Sequence, residues 1–116
     1  MTLTGLLEAL RPHPDGHPDQ TTLRSFQRVR VLVLDDIGAE RLTAWGADRL
    51  YEVLNARYND QLPTIVTTNL DLSRIAARWN QQLGDESGDR LVNRLIECCA
   101  VVRWPDDAPN LRLQHA

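Results

Sequence analysis

The chain lacks lysine altogether, because all thirteen of its basic residues are arginines. No segment matches G-x-x-x-x-G-K-[ST] either. In that phosphate-binding loop, glycines let backbone N–H groups converge on the ligand and a lysine reaches the β- and γ-phosphates. The sequence therefore excludes a mechanism that depends on a lysine ammonium or on such a loop within these residues.

Long apolar runs and cysteines are also scarce. No stretch of about 18 apolar residues predicts a membrane span, and no basic segment followed by an apolar stretch predicts a secretory leader. The two cysteines, Cys98 and Cys99, are neighbours, a spacing that suits neither an ordinary disulfide nor a metal site. We therefore expect a reduced, cytoplasmic protein. With 116 residues and a net charge of -3, it should form one domain at most, without a general basic field for nucleic acid.

Hydrophobic spacing predicts helices and strands that alternate along the chain. Thr43 is a suitable N-cap for a helix that runs to residue 60. Its apolar stripe consists of Ala47, Leu50, Tyr51, Leu54 and Tyr58. Helices are expected over residues 3–11, 20–29, 43–60, 71–80 and 90–97, with a loop over 81–89. Strands are expected over residues 29–34, 62–69 and 98–104. This alternation predicts an α/β fold with a parallel sheet.

Two segments are predicted to be irregular, the proline-rich stretch 12–19 and the C-terminal stretch 105–116. His13 and His17 lie four residues apart in the first of them. Without a helix to place both on one face, we interpret them as part of a solvated loop rather than a metal site.

Polar side chains follow two of the predicted strands. Asp35 and Asp36 come directly after the first, and Thr67, Thr68 and Asn69 end the second. One helix separates the two clusters, and ligands of parallel sheets bind outside the carboxyl ends of the strands. A carboxylate there can hold Mg²⁺, usually through water, while its neighbour orients a water for attack on a phosphate and an amide contacts that water or the phosphate. The alternative, in which the aspartates only cap a turn and Asn69 begins a loop, is less consistent with so many polar groups together.

Two arginines near the end form a third candidate element. Arg90 and Arg94 are four residues apart and so lie on one side of a predicted helix. Arg94 could pair with a carboxylate of its own subunit, or it could point outward as an arginine finger toward the phosphate of a neighbouring subunit. The sequence leaves both readings open.

Four segments in this order resemble a known family. "VLVLDDIGAE", "LYEVLNARY", "LPTIVTTNL" and "GDRLVNRL" are similar to the second half of AAA+ ATPases of the DnaC/IstB type, which are helicase loaders and transposition helper ATPases related to DnaA. The resemblance runs from about Leu3 to Trp104. It implies a partial AAA+ domain over residues 1–104, with a P-loop NTPase type of sheet that is incomplete, and a tail over residues 105–116.

The same resemblance implies roles for individual residues. Asp35 would be the Walker B ligand of Mg²⁺ through water, and Asp36 would stand in the place of the catalytic carboxylate, where family members often carry Glu. Thr68 and Asn69, the latter matching sensor 1, would complete the ATP contacts. Arg94 matches the box VII arginine finger, with Arg90 as the second candidate. Implied partners are subunits of the same family, a replicative helicase or transposase, and single-stranded DNA.

The resemblance also implies a missing strand. In the family's sheet, the strand that leads into the phosphate loop lies between the sensor 1 strand and the final strand. We therefore expect a gap in the sheet, with apolar strand edges exposed. The isolated chain should then be poorly stable, or its sheet should close with another order or with another chain.

Other functions fit the sequence less well or add to this one. A response-regulator receiver domain would need a phospho-acceptor aspartate on an intervening strand and a lysine, and neither is present. A non-enzymatic fragment that keeps an oligomerisation or partner-binding surface is the main alternative to an ATPase, because half of the ATP site is absent. A small basic cluster with Phe26 interleaved could contact single-stranded DNA, although a solvated face is the simpler interpretation; it consists of Arg24, Arg28 and Arg30.

Overall fold

The computed structural model describes residues 1–12 and 20–103 of the chain. The expected loop around His13 and His17, as well as Trp104 and the expected tail, fall outside these ranges. The helices are α1 (Leu3–Ala9), α2 (Gln20–Arg28), α3 (Ala44–Asn59), α4 (Leu72–Leu83) and α5 (Ser87–Cys98). The strands are β1 (Leu32–Leu34), β2 (Thr64–Thr68) and β3 (Ala100–Arg103).

The three strands form one parallel sheet in the order β1-β2-β3. Leu34 of β1 pairs with Val66 of β2, and β2 pairs directly with β3 from Ile65 opposite Ala100 to Thr68 opposite Arg103. The predicted α/β fold with a parallel sheet is confirmed. The expectation of a gap between the second and third strands is wrong, because β3 pairs directly with the edge of β2. β3 therefore lies beside β2, in the place where the family's strand order implies another strand.

The helix boundaries differ from the predicted ones near the C-terminus. The loop expected over residues 81–89 shrinks to three residues, because α4 continues to Leu83 and α5 already begins at Ser87. Gly84 adopts the left-handed conformation, with φ of 74°, and ends α4 as its C-cap. In α3 the Thr43 hydroxyl accepts a hydrogen bond from the Gly46 N–H at 3.1 Å, which confirms the predicted N-cap.

One face of the sheet carries the core. Leu32, Leu34 and Val66 are almost completely buried there, against leucines of α1 and α3 and Trp79 of α4. The predicted stripe of α3 is only partly correct, because Tyr58 is exposed whereas Val53 and Arg57 are buried. None of the helices within residues 1–12 and 20–103 is long and apolar enough to cross a membrane.

The opposite face of the sheet, which we call the open face, remains accessible. Because side chains alternate along a strand and the register aligns neighbours, this face consists of Val33, Ile65, Thr67, Ala100 and Val102. Val33 is 36% exposed and Val102 47% exposed. All-parallel sheets are usually covered on both faces, so this apolar surface is unusual for a self-sufficient domain.

Candidate functional site

The acidic pair lies at the carboxyl end of β1, directly beside the end of β2. The Thr67 hydroxyl lies 3.4 Å from Oδ1 of Asp35 and accepts a 2.9 Å hydrogen bond from the backbone N–H of Asp36. Both aspartates are exposed. The Met1 ammonium lies 3.7 Å from Oδ2 of Asp35. The predicted convergence of the two strand ends is thus present, and Thr67, to which the resemblance assigned no role, is the contact between them.

Hydrogen bonds between Ile37 and the end of β2 hold the turn at the acidic pair. Asp36 has a positive φ of 56°, a conformation that aspartate tolerates better than most residues. Beyond it, the Ile37 N–H donates to the Thr67 carbonyl at 2.9 Å, and the Thr68 hydroxyl donates to the Ile37 carbonyl at 2.9 Å. The backbone therefore reverses at a defined place and leaves both carboxylates accessible.

Thr68 and Asn69, the other predicted nucleotide contacts, differ in their availability. Thr68 is buried, and its hydroxyl also accepts a 3.1 Å hydrogen bond from the Leu70 N–H, so both of its hydrogen-bonding roles serve the fold. Asn69 is exposed, and its side chain makes no hydrogen bond to another residue of the described ranges. Of the two, Asn69 is the one with a free amide at this edge.

The donor set suits magnesium only together with other ligands. Carboxylate and hydroxyl oxygens are ligands that Mg²⁺ accepts, and Mg²⁺ is usually held by one or two carboxylates, waters and substrate phosphates. Within residues 1–12 and 20–103 no group of three or more His, Cys, Asp or Glu side chains could hold a metal ion. Asp35 and Asp36 thus fit an ion that is shared with a phosphate, and do not form a complete protein cage.

A third carboxylate, Glu40, lies in the loop that follows the acidic pair. Its Oε1 accepts a 2.9 Å hydrogen bond from the Gly38 N–H. Burial raises the pKa of Glu40 above its ordinary value, and the charge of Asp36 adds to this, whereas the Gly38 hydrogen bond and Arg78 oppose it. Gly38 has φ of 101°, and a Cβ there would lie 2.9 Å from Ile75. The loop is therefore packed tightly on α4.

Arg94 is held within its own subunit and away from the acidic pair. Its guanidinium forms a 3.1 Å ion pair with Glu97 and lies 5.7 Å from the ring centre of Tyr51 and 5.1 Å from that of Tyr58. A hydrogen bond to Tyr51 raises the pKa of Arg94 and lowers that of Tyr51. Arg90 is exposed, and its guanidinium donates to the Ser87 hydroxyl at 3.0 Å. The structure thus contains the intramolecular pairing that was one of the two readings of Arg94.

The three arginines proposed for DNA contact are all exposed, on α2 and just before β1. Arg24 and Arg28 are one helical turn apart, so they lie on the same side of α2. Phe26 is instead half-buried and packs against the core. The predicted combination of basic and stacking side chains on one surface is therefore not formed, and only the basic part remains.

Arg57 is a structural residue that the sequence reasoning missed. It is completely buried, and its guanidinium donates to the Thr64 hydroxyl and to the carbonyls of Phe26, Val29 and Pro63, at 2.6 to 3.0 Å. Burial lowers its pKa from the ordinary value. The only available signal was its position on the core side of α3, one turn after Val53 and three residues after Leu54.

Comparison with known proteins places this geometry in a family. The model of the family described as IstB-like ATP binding protein matches residues 1–116. The chain belongs to this family. Among curated relatives of this IstB-like chain, the replicative helicase loader DnaI of Bacillus subtilis is 31% identical over 104 residues, covering 83% of the chain. The insertion sequence ATP-binding protein y4uH of Sinorhizobium fredii is 31% identical over 77 residues, covering 66% of the chain.

The fold is similar to that of a solved helicase loader as well. The crystal structure of the DnaC helicase loader matches with a TM-score of 0.63 and 30% sequence identity, over 89% of this chain and 59% of that chain. The predicted AAA+ type of α/β fold is thereby confirmed. The IstB-like chain spans about a third of the length of the curated relatives, 33% of DnaI and 29% of y4uH.

Proposed function

We propose that this IstB-like chain contributes the acidic side of an ATP site, in a helicase loader or a transposition helper ATPase, and that it does not hold Mg-ATP by itself. The observation that carries the proposal is the placement of Asp35 and Asp36 at adjoining strand ends, linked through Thr67, in a sequence with neither lysine nor a phosphate loop. Without backbone N–H groups that converge on the phosphates, an accessible acidic pair repels ATP rather than binding it.

Each residue of the site has a role in this proposal. Asp35 would hold Mg²⁺, Asp36 would orient the attacking water, and the exposed amide of Asn69 would contact that water or the terminal phosphate. Thr67 positions the acidic pair, since its hydroxyl contacts Asp35 and the backbone of Asp36. Magnesium bound there would neutralise charge on the phosphates.

The open face supports an assembly rather than a free-standing enzyme. Val33 and Val102 expose apolar surface on a parallel sheet that would normally be covered. We propose that a polypeptide segment carrying a phosphate loop packs on this face and supplies the missing half of the site.

Arg94 is proposed to act between subunits of the same family. It makes no contact with Asp35 or Asp36 within the described residues, so any role at an ATP site would be in a neighbouring subunit. To reach a phosphate it would have to leave Glu97 and Tyr51. Arg90 is already exposed and is the alternative finger. A replicative helicase or a transposase is the proposed partner, and single-stranded DNA could be contacted through Arg24, Arg28 and Arg30.

Nucleotide binding tests the first part of the proposal. The chain is titrated with a fluorescent ATP analogue and Mg²⁺, and we expect no saturable binding at millimolar concentration. The variants Asp35→Asn and Asp36→Asn should give the same flat titration. Saturable binding by the unmodified chain that is lost in these variants would contradict the proposal, because it would show a complete site.

Complementation tests the second part. A phosphate-loop fragment of an IstB-family protein is mixed with the chain, and ATP hydrolysis is followed. We expect hydrolysis only in the mixture, and loss of hydrolysis with Asp36→Asn, while Arg41→Ala serves as a matched surface control. A stable complex that does not hydrolyse ATP would instead support the alternative function, a non-enzymatic module for oligomerisation or partner binding.

A further inference from the structure

The two cysteines are in contact, although a continuous strand would have separated them. Cys98 is the last residue of α5, and Cys99 is its C-cap, with an extended backbone whose N–H donates to the Leu95 carbonyl at 3.0 Å. In a strand, successive side chains would point to opposite faces of the sheet. The change from helix to extended backbone instead brings the two Sγ atoms to 3.2 Å.

The pair is also partly accessible, and both Arg94 and Glu97 lie near Cys98. Both thiols are half-buried, and a groove of about 280 Å³ opens beside Cys98 between α5 and the turn after α3. The hydrogen bond between the two thiols, with a further contribution from the Arg94 charge, lowers the pKa of Cys98, although burial and the Glu97 charge oppose this. The hydrogen bond raises the pKa of Cys99. Cys98 is therefore the thiol that reacts first, because the thiolate is the nucleophile.

We propose that Cys98 and Cys99 form a two-thiol binding site for a single thiophilic centre of the trivalent arsenical class. Zinc would need four ligands, and no cluster of three or more suitable side chains exists in residues 1–12 and 20–103. Two-coordinate soft ions such as Cu(I) place their sulfurs on opposite sides of the metal. Trivalent arsenic is pyramidal, so its two sulfur ligands lie close together on one side of the atom. The Sγ atoms of Cys98 and Cys99 are already 3.2 Å apart.

The reaction with an arsenoxide balances without an oxidant. Each thiol adds to arsenic, and its proton passes to the arsenoxide oxygen. Two As–S bonds form, the As=O bond and two S–H bonds break, and one water molecule leaves. The product joins the side chains of the last residue of α5 and of its C-cap.

Phenylarsine oxide is the probe that tests this site. With one equivalent added to the full chain, mass spectrometry should show one adduct less one water, and a thiol titration should show that both cysteines are consumed. A dithiol competitor such as 2,3-dimercaptopropanol should remove the adduct, whereas a monothiol should not. Cys98→Ser and Cys99→Ser should each weaken retention on the order of 100-fold, which is the loss expected when a two-point attachment becomes one-point.

A synthetic peptide of residues 95–102 distinguishes a folded site from mere sequence adjacency. We expect the peptide to release the arsenical at a lower dithiol concentration than the folded chain, because only the fold holds the sulfurs together beforehand. Equal retention by peptide and chain would overturn the proposal. Two arsenicals per chain, or single-cysteine variants that retain the probe as well as the unmodified chain, would overturn it too.

Discussion

Gly88 of α5 packs against the backbone of Ala76 in α4, so closely that a Cβ at position 88 would lie 2.5 Å from the Ala76 carbonyl oxygen. Gly88→Ala should therefore force the two helices apart and destabilise the chain by about 1–3 kcal/mol, the usual cost of overpacking. Urea unfolding followed by circular dichroism measures this loss. Asn93→Ala, at an exposed position of the same helix, should change stability by less than about 0.5 kcal/mol. Equal stability of the Gly88 variant and the unmodified chain would contradict the close helix packing.

Thr67 should be needed to hold the turn of the acidic pair. Thr67→Val keeps the shape of the side chain but leaves the Asp36 N–H without its 2.9 Å acceptor, so we expect a loss of about 1 kcal/mol in urea unfolding. Thr67→Ser retains the hydroxyl and is the matched control. If valine and serine at this position had the same effect, the hydroxyl would have no role in fixing the turn.

Arg57 should be among the least replaceable residues of the chain. Arg57→Leu would leave the Thr64 hydroxyl and the carbonyls of Phe26 and Val29 without the Arg57 donor, and each buried unpaired group costs about 1–3 kcal/mol. We therefore expect a loss of more than about 3 kcal/mol, or a chain that no longer unfolds cooperatively on heating. Arg57→Lys should recover only part of the loss, because an ammonium lacks the planar fork of donors. Arg41→Ala, at an exposed arginine, should melt like the unmodified chain.

Glu40 should make stability depend on pH in a definite direction. Its pKa is raised in the folded chain above the ordinary value of 4.5, so the folded state binds this proton more tightly than the unfolded state. The charged side chain therefore costs stability above the folded pKa, and this cost disappears as the pH falls below the ordinary value. Glu40→Gln keeps an acceptor for the Gly38 N–H. Its effect on the free energy of unfolding should be more favourable at pH 7 than at pH 4. Urea unfolding of the unmodified chain and the variant at both pH values measures this. If the substitution changed the free energy of unfolding equally at pH 7 and pH 4, the raised pKa would be contradicted.

The sequence predicted the elements whose signals are local. The apolar run that ends in Asp35 and Asp36, and the Thr43 cap of α3, are visible as patterns, and a parallel fold then brings the strand ends together. Arg57 could not be predicted, because hydrophobic periodicity treats an arginine as a surface residue and cannot reveal carbonyls contributed by distant segments. The Cys98 and Cys99 contact was hidden for a related reason, since its geometry depends on where α5 ends.

The pairing of β2 with β3 could not be predicted from the sequence either. The family's strand order implied a gap, but strand order depends on which edges are available when the sheet forms, and only tertiary structure determines that. The interactions of Arg94 with Glu97 and Tyr51 were predictable in part: the carboxylate three residues away was visible, whereas the tyrosine of α3 was not.

The position of Arg57 has a consequence for how the chain opens. One guanidinium joins the C-terminal half of α2, the segment before β1 and the turn that leads into β2. Each segment is bonded to Arg57 of α3, so displacement of this one side chain breaks the hydrogen bonds to all three at once. In hydrogen exchange they should therefore behave as a single unit, with amides in β1 and β2 and at the end of α2 becoming exposed in the same event.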